Sequence, residues 1–133
     1  MSRAGLVWLG AGALLCSSNA WAGAIDAKTQ LVCDLVEAAQ CDGVAECIDV
    51  TPAQIGLPST FHVDFGTAQI GSEDGQSTNL IRSVEELETA VLLQGHANGR
   101  GWTLVIHRST GHLSGTLNDV EGAFVLAGAC TTR

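Results

Sequence analysis

The stretch "GHANGRGWTLVIHRSTGHLSGTL" (residues 95–117) decides the fold, because it places one strand between two turns. Asn98-Gly99 is the strongest short signal for a two-residue type I′ turn. The loop "RSTG" (108–111) ends in a glycine, which supplies the positive φ that such a loop often needs. Between the turns, "WTLVIH" (102–107) places alternate residues on opposite faces of a strand. The sequence therefore predicts an antiparallel meander here.

Both turns predict the same buried face for the central strand. Every partner on its inner face is then apolar or glycine, and Gly95 leaves room for the indole of Trp102. The predicted inner pairs are Val91–Ile106, Leu93–Leu104, Gly95–Trp102, Trp102–Leu117, Leu104–Gly115 and Ile106–Leu113. A slip of one residue at either turn would reverse the faces of the partner strand, so this agreement is informative. We expect Trp102, Leu104 and Ile106 to face an apolar interior.

Further strands are expected along the chain. The alternating or apolar segments are "FHVDF" (61–65), "TAQIGS" (67–72), "NLIRSV" (79–84) and "GAFVLAGACTT" (122–132). In the last segment, Phe124 and Leu126 compete with Val125 and Ala127 for the interior. Residues 31–41 and 83–88 fit a helix or a strand. The fold class predicted is all-β: an antiparallel meander of about six to eight strands that forms a small barrel or sandwich.

The first 22 residues have the composition of a signal peptide. Arg3 precedes an apolar run over 4–16, and Ala20-Trp21-Ala22 fits the small-x-small pattern of a cleavage site. The run is too short to span a bilayer, and no second apolar stretch approaches that length. We expect a signal peptide over 1–22, a single all-β domain over 23–133 and a periplasmic or secreted location.

Four cysteines follow the leader, and they are expected to form two disulfides. An even count in a short exported chain is typical of a disulfide framework, although three connectivities remain possible. "CDGVAEC" (41–47) surrounds an Asp-Gly turn, which favours a Cys41–Cys47 bridge. The remaining bridge would join Cys33 to Cys130 and bring the first and last strands together.

The charge balance excludes two classes of partner. The chain has 14 acidic residues, all after residue 22, and six Lys and Arg, of which Arg3 lies in the leader. The exported chain would therefore carry 5 − 14 = −9. Such a surface repels nucleic acid backbones and anionic lipid headgroups. It is compatible with a cationic partner, or with solubility alone.

Histidines provide the weak candidates for a metal site. Continuing the predicted register sets His107 opposite His112 on the outer face of the hairpin. Zn²⁺ and Cu²⁺ sites usually need three or four converging ligands, and the pattern provides no third one. An exposed polar pair is the favoured interpretation, so no metal site is predicted.

No pattern for catalysis or for a cofactor emerges. There is no Gly-x-Ser-x-Gly elbow, and the cysteines are expected to be oxidised. The stretch "GRG" (99–101) follows a hairpin turn and lacks the strand–loop–helix setting of a nucleotide site. We expect a protein that is not an enzyme and that binds no cofactor.

The core motif resembles a group of small exported proteobacterial proteins of unknown function. Shared features are "LQG" (93–95), "NGRGW" (98–102), the later "TG" (110–111) and a terminal "GAC" (128–130). The Cys-rich opening and "LPSTFHVDF" (57–65) are similar as well. The resemblance implies a common all-β fold and export. It implies no activity and no catalytic or binding residue.

Three classes of function fit these observations. The first is a non-catalytic periplasmic or secreted binding or accessory module for an unknown protein or small-molecule ligand of the cell envelope. It would act through the outer face of the sheet or a barrel mouth, and it is favoured by elimination. The second is a proteinaceous inhibitor of a cationic envelope enzyme such as lysozyme, which charge alone supports. The third is a histidine-based metal-binding protein using His107 and His112.

Overall fold

The computed structural model describes residue 10 and residues 24–133. The predicted signal peptide, apart from Gly10, and its cleavage point lie outside the described residues. No helix among those residues has the length and apolar character needed to cross a membrane.

Ten strands form a single antiparallel sheet in the described part of the chain, which confirms the all-β prediction. They are β1 (Leu31–Cys41), β2 (Cys47–Val50), β3 (Thr60–Asp64), β4 (Gln69–Ser72), β5 (Thr78–Leu80), β6 (Ser83–Glu86), β7 (Ala90–Ala97), β8 (Arg100–His107), β9 (His112–Asp119) and β10 (Gly122–Thr132). One turn of 3₁₀ helix spans Ala53–Ile55. The ambiguous segments 31–41 and 83–88 contain the strands β1 and β6.

The predicted count of six to eight strands is too low, for two local reasons. The four residues of β2 are exposed or half-buried without alternation, so no sequence pattern marks this strand. The strand expected over 79–84 is divided at Ile81 and Arg82 into β5 and β6. β5 pairs with β4, whereas β6 pairs with β7. The alternating sequence pattern over 79–84 does not reveal this change of partner strand.

The sheet curls into a half-barrel rather than a two-sheet sandwich. Its strand order is β5, β4, β3, β1, β10, β9, β8, β7, β6, with β2 paired to the second half of β1. The two end strands are consecutive in the chain. Between them the Ile81 N–H donates to the Ala68 carbonyl and the Arg82 N–H donates to the Gln94 carbonyl, each at 2.8 Å. Consecutive amides thus tie the two margins of the sheet together.

The register predicted for the central meander is confirmed. All six predicted inner pairs occur, from Val91–Ile106 to Trp102–Leu117. Leu93, Ile106 and Leu113 are fully buried on the inner face. A Cβ added to Gly95 would lie 2.6 Å from Trp102 Cε2, so the indole occupies the space that the glycine leaves. The turns on both sides therefore fixed the face of the central strand correctly.

Both predicted disulfides are present, and each joins residues directly opposite in the sheet. Cys33 of β1 bonds Cys130 of β10, and Cys41 of β1 bonds Cys47 of β2. The first bridge is buried on the inner face, and it links the first and last long strands. On β10, the side chains of Phe124 and Leu126 are buried in the interior, and Val125 is exposed.

One end of the half-barrel is plugged by the segment that precedes β1. Ile25 is only 2% exposed, and its N–H donates to the Arg108 carbonyl at 2.9 Å. The Arg108 guanidinium donates from Nε to the Ile25 carbonyl at 2.8 Å and from Nη1 to the Leu87 carbonyl at 3.1 Å. Its Nη2 lies 3.1 Å from Glu86 Oε1. Arg108 therefore joins the plug to the loop that follows β6.

Candidate functional site

The opposite end of the half-barrel is open and contains a cavity of about 410 Å³. Most of its wall is apolar and comes from the inner faces of several strands and from the segment after the 3₁₀ turn. The apolar lining residues are Leu35, Leu57, Pro58, Phe61, Ile70, Ala97, Trp102, Leu104, Leu117 and Leu126. The polar lining side chains are Ser72, Ser77, Asn79, Asn98 and Arg100. The site is thus an apolar pocket with a small set of polar groups.

The sequence of β7 explains why this end is hollow. Its inner face carries Val91 and Leu93 toward the plugged end, and both side chains are buried in the core. Toward the open end the same face carries Gly95 and Ala97, which are too small to fill the interior. Trp102 leans over Gly95 and is only half-buried. Its indole faces the apolar interior, as expected, where it packs against the buried core and also forms part of the cavity wall.

Arg100 holds one side of the mouth in place. Its Nη1 donates to the Ile55 carbonyl at 2.8 Å, and its Nε lies 3.3 Å from Asp119 Oδ2. The guanidinium also lies over the ring of Phe124, 5.3 Å from the centroid. These contacts join the 3₁₀ turn to β8 and to the turn between β9 and β10. The charge of Arg100 is therefore already compensated within the protein.

Asp119 is a well-stabilised carboxylate at this mouth. The Glu121 N–H donates to its Oδ1 at 2.8 Å and is the largest cause that holds the pKa of Asp119 below its ordinary value of 3.8. Desolvation opposes this effect, while the hydrogen bond from Arg100 also lowers the pKa. Since hydrogen bonds to a charged form favour that form, Asp119 stays ionised at neutral pH.

The rim between β4 and β5 is closed by its own side chains. The Ser77 N–H donates to Ser72 Oγ at 3.1 Å, and the Ser72 hydroxyl donates to Asp74 Oδ1 at 2.5 Å. That hydroxyl is the main reason why the pKa of Asp74 lies below its ordinary value. The amide side chains of Asn79 and Asn98 make no hydrogen bond to another residue that the structure describes. They are therefore the polar groups best able to contact a ligand.

The two histidines singled out from the sequence lie far from this cavity. His107 and His112 flank the loop 108–111 at the plugged end, and the ladder between β8 and β9 ends one pair earlier, at Ile106–Leu113. His107 Nδ1 is contacted by the Thr110 N–H at 3.3 Å and the Ser109 hydroxyl at 3.1 Å. Within residue 10 and residues 24–133, no group of three or more His, Cys, Asp or Glu is arranged to hold a metal ion.

The other two histidines do not join this pair. His96 pairs with Gly101 near the open end, on the outer face. His62 Nδ1 lies 2.9 Å from Arg133 Nη1. The described structure thus brings no third imidazole to His107 and His112.

A second concavity, of about 380 Å³, lies on the outer surface beside β2. Val36 stands at an irregularity of β1 between Leu35 and Glu37, and 71% of its surface is exposed. Val125 of β10 borders the same groove and is 49% exposed. Unlike the cavity at the mouth, this groove is not enclosed by the curl of the sheet.

From the sequence, a barrel mouth is one of two expected places of binding, but none of the residues that line this cavity is predicted as a binding residue. A usable signal is the loss of side-chain volume along the inner face of β7, from Val91 and Leu93 to Gly95 and Ala97. The opposing Trp102 marks the level at which the core ends.

Comparison with models of protein families, with characterised proteins and with solved structures finds no match for this chain.

Proposed function

We propose that this protein is a non-catalytic binding module that takes a small ligand into the open mouth of its half-barrel. The observation that carries the proposal is the apolar cavity of about 410 Å³. Small-molecule sites are typically clefts of about 300–1,000 Å³ with apolar walls and a few polar groups that fix orientation. The mouths of β-barrels are a frequent place for such sites.

The walls of this cavity are held in position before any ligand arrives. The Cys33–Cys130 bridge joins β1 to β10 below the mouth, and Arg100 fixes the 3₁₀ turn to β8. A preformed site loses little conformational entropy on binding. A ligand that hides about 300 Å² of apolar surface would gain up to about 7.5 kcal/mol at ~25 cal/mol per Å². Affinity in the micromolar range or weaker is therefore expected.

The chemistry of the lining supports binding rather than catalysis. Among the described residues that line the cavity, the polar side chains are hydroxyls, amides and one guanidinium. General acid–base and nucleophilic catalysis need a nucleophile or acid together with a base within hydrogen-bond reach. The Ser72 hydroxyl donates to Asp74, and this hydrogen bond closes the loop between β4 and β5. We therefore assign the site to recognition.

We further propose that the protein acts in the periplasm or after secretion, on a ligand of the cell envelope. The predicted signal peptide over 1–22 and the two disulfides support this location, since disulfides persist in oxidising compartments. N-terminal sequencing of protein recovered from an envelope or culture fraction tests it. We expect the chain to begin at Gly23, and recovery of an intact Met1 from the cytoplasm alone would contradict the proposal.

The binding site is tested with N-phenyl-1-naphthylamine, an uncharged probe whose emission rises in apolar surroundings. With protein that begins at Gly23, in which Trp102 is the single tryptophan, we expect saturable binding to the wild type and energy transfer from Trp102 that is lost in Trp102→Phe. Ile70→Glu, which places a carboxylate on the cavity wall, should weaken binding at least tenfold. Asn79→Trp should weaken it as well by filling the cavity without burying a charge.

Val125→Glu provides the matched control for the probe experiment. It introduces the same charge on the outer surface, where Val125 is already exposed, and should leave the affinity within about twofold of the wild type. Far-UV circular dichroism confirms that each variant is folded. Absence of saturable emission, or equal losses in the cavity and control variants, would refute the assignment of the mouth as a binding site.

A further inference from the structure

Charge is distributed unevenly between the two ends of the half-barrel. The connections at the open end are 42–46, 51–59, 73–77, 98–99 and 120–121. Together with the adjoining strand ends they carry six carboxylates and one guanidinium. These are Asp42, Glu46, Glu73, Asp74, Asp119 and Glu121 against Arg100. Arg100 is paired with Asp119, and none of the other five forms an ion pair with a described residue.

The plugged end has no such excess. Its connections, the adjoining strand ends and the two chain segments beside it carry Asp26, Asp64, Glu86 and Glu88 against Lys28, Arg108 and Arg133. The negative charge of the protein is therefore concentrated toward the mouth. A cleft surrounded by charges of one sign attracts the opposite sign and raises its local concentration.

The acidic loops lie beside the cavity itself. Loop 73–77 is flanked by Ser72 and includes Ser77, both of which line the cavity. The turn carrying Glu121 also carries Asp119, whose partner Arg100 lines the cavity on another side.

Loop 42–46 adjoins that turn. A Cβ added to Gly122 would lie 3.8 Å from Asp42 Oδ1. Because neighbouring strands are ~4.8 Å apart, the fields of these loops overlap at the mouth over a screening length of ~8 Å at physiological salt.

We propose that the ligand of this mouth is an organic cation with an apolar body. Its aromatic or aliphatic part enters the cavity, while its ammonium group stays at the rim among the carboxylates. An unpaired charge is strongly disfavoured inside an apolar pocket, so the ammonium remains in the solvated region where the field is attractive. This inference rests on the proposed binding function and adds the ligand class to it.

An anionic ligand is disfavoured although Arg100 lies on the wall. The guanidinium already contacts Asp119, the Ile55 carbonyl and the ring of Phe124. A carboxylate entering the mouth would have to compete with Asp119 and pass the acidic loops. Arg100 therefore stabilises the structure of the mouth, and the surrounding carboxylates determine which charge the mouth prefers in a ligand.

The expected discrimination follows from Coulomb's law. For an assumed mean separation of about 10 Å in water and a screening length of ~30 Å at 10 mM salt, five carboxylates strengthen the binding of an ammonium group about tenfold relative to a neutral ligand. An anion is weakened by a similar factor. At 300 mM salt the screening length falls below ~8 Å, and the three affinities should converge to within about threefold.

Three ligands with the same ring test the inference by displacement of N-phenyl-1-naphthylamine. They are 1-naphthylmethylamine, which is a cation at pH 7, neutral 1-naphthalenemethanol and anionic 1-naphthoate. At 10 mM salt we expect the cation to displace the probe about tenfold better than the alcohol, and the anion about tenfold worse. The difference should shrink at 300 mM salt.

Two triple variants locate the source of this preference. The mouth variant combines Glu46→Gln, Glu73→Gln and Glu121→Gln. The control combines Glu37→Gln, Glu85→Gln and Glu88→Gln, all of them exposed and away from the mouth. Both raise the net charge by three. The mouth variant should reduce the preference for the cation from about tenfold to about threefold, and the control, whose carboxylates are farther from the mouth, should reduce it by less than about twofold.

The possible failures are distinguishable. If the probe N-phenyl-1-naphthylamine itself does not bind, the proposed function is refuted. If it binds but cation and alcohol compete equally at both salt concentrations, only the cationic preference is refuted. Tighter binding of the anion, or equal effects of the two triple variants, would also overturn the inference. If hen lysozyme displaces the probe while 1-naphthylmethylamine does not, the mouth recognises a basic protein instead.

Discussion

Substituting Gly95 by alanine tests the packing that ends the core and opens the cavity. The new Cβ would lie 2.6 Å from Trp102 Cε2 and 2.9 Å from the Leu80 carbonyl oxygen. Carbon atoms pack best at ~3.5–4.0 Å, so the indole or the β5 backbone must move by about 1 Å. Overpacking of this kind costs about 1–3 kcal/mol of unfolding free energy.

Gly101→Ala is the matched control, because Gly101 lies on the neighbouring strand and nothing approaches its Cβ position within 4 Å. Neither glycine has a left-handed backbone conformation. Both substitutions gain about 0.4–1 kcal/mol by restricting the unfolded chain, so the difference between the variants isolates the steric term. We expect Gly95→Ala to be less stable than Gly101→Ala by about 1–3 kcal/mol.

Urea unfolding followed by far-UV circular dichroism measures this difference, and the emission of Trp102 reports where the indole goes. If the indole is pushed into the cavity, the naphthylamine probe should also bind more weakly to Gly95→Ala. Equal urea midpoints for the two variants, with an unchanged emission maximum, would show that Trp102 does not pack over Gly95.

Three further predictions concern the bridges, the plug and the mouth. Replacing Cys33 and Cys130 by alanine opens a loop of 97 residues and should lower the free energy of unfolding by about 4.7 kcal/mol. The same change at Cys41 and Cys47, which are separated by 6 residues, should lower it by about 2.2 kcal/mol. Equal losses in urea unfolding would contradict the dependence on loop length. Ile25→Ala should lower the free energy of unfolding by about 2–4 kcal/mol, because this side chain is buried at the plugged end. Val36→Ala on the exposed surface should change it by less than ~0.5 kcal/mol. A loss below ~0.5 kcal/mol for both variants, by thermal or urea unfolding, would mean that Ile25 does not plug the barrel. Folding lowers the pKa of Asp119 below 3.8, so its stabilising effect is present above that pH and is lost as the pH falls through the folded value. The difference in urea midpoint between wild type and Asp119→Asn should therefore shrink from pH 5 to pH 2.5, and a constant difference would refute this reading.

The central meander was predictable because short-range chemistry specifies it. Asn98-Gly99 and the loop ending in Gly111 each fix a strand pairing, and both have the positive φ expected at their glycines. The strict alternation of β8 then assigns every inner residue. The Cys33–Cys130 bridge followed by elimination once Cys41 and Cys47 were assigned to one hairpin.

The closing elements of the half-barrel were not predictable in the same way. Arg100 contacts the Ile55 carbonyl across 45 residues, and Arg108 contacts the Ile25 carbonyl across 83 residues. No local periodicity indicates such pairs. Their existence depends on how far the sheet curls, which is set by the twist of all strands together.

The cavity belongs to the same category. The small residues of β7 were visible in the sequence, but a hollow forms only if no other segment fills it. The segment 51–59 folds over the mouth and lines the cavity with Leu57 and Pro58, while its Ile55 side chain is buried in the hydrophobic core. The charge difference between the ends also becomes visible only when each loop has been assigned to an end.

A ¹⁵N–¹H correlation titration with 1-naphthylmethylamine at low salt tests the central claim most directly, because it locates the bound ligand. We predict that the indole N–H of Trp102 and the amides of Gly71 and Ser77 shift together and saturate with one dissociation constant. The amides of Gly111 and His112 at the plugged end should remain in place. Shifts centred on the plugged end or the outer face, or no saturable shift at Trp102, would contradict a ligand site in the mouth.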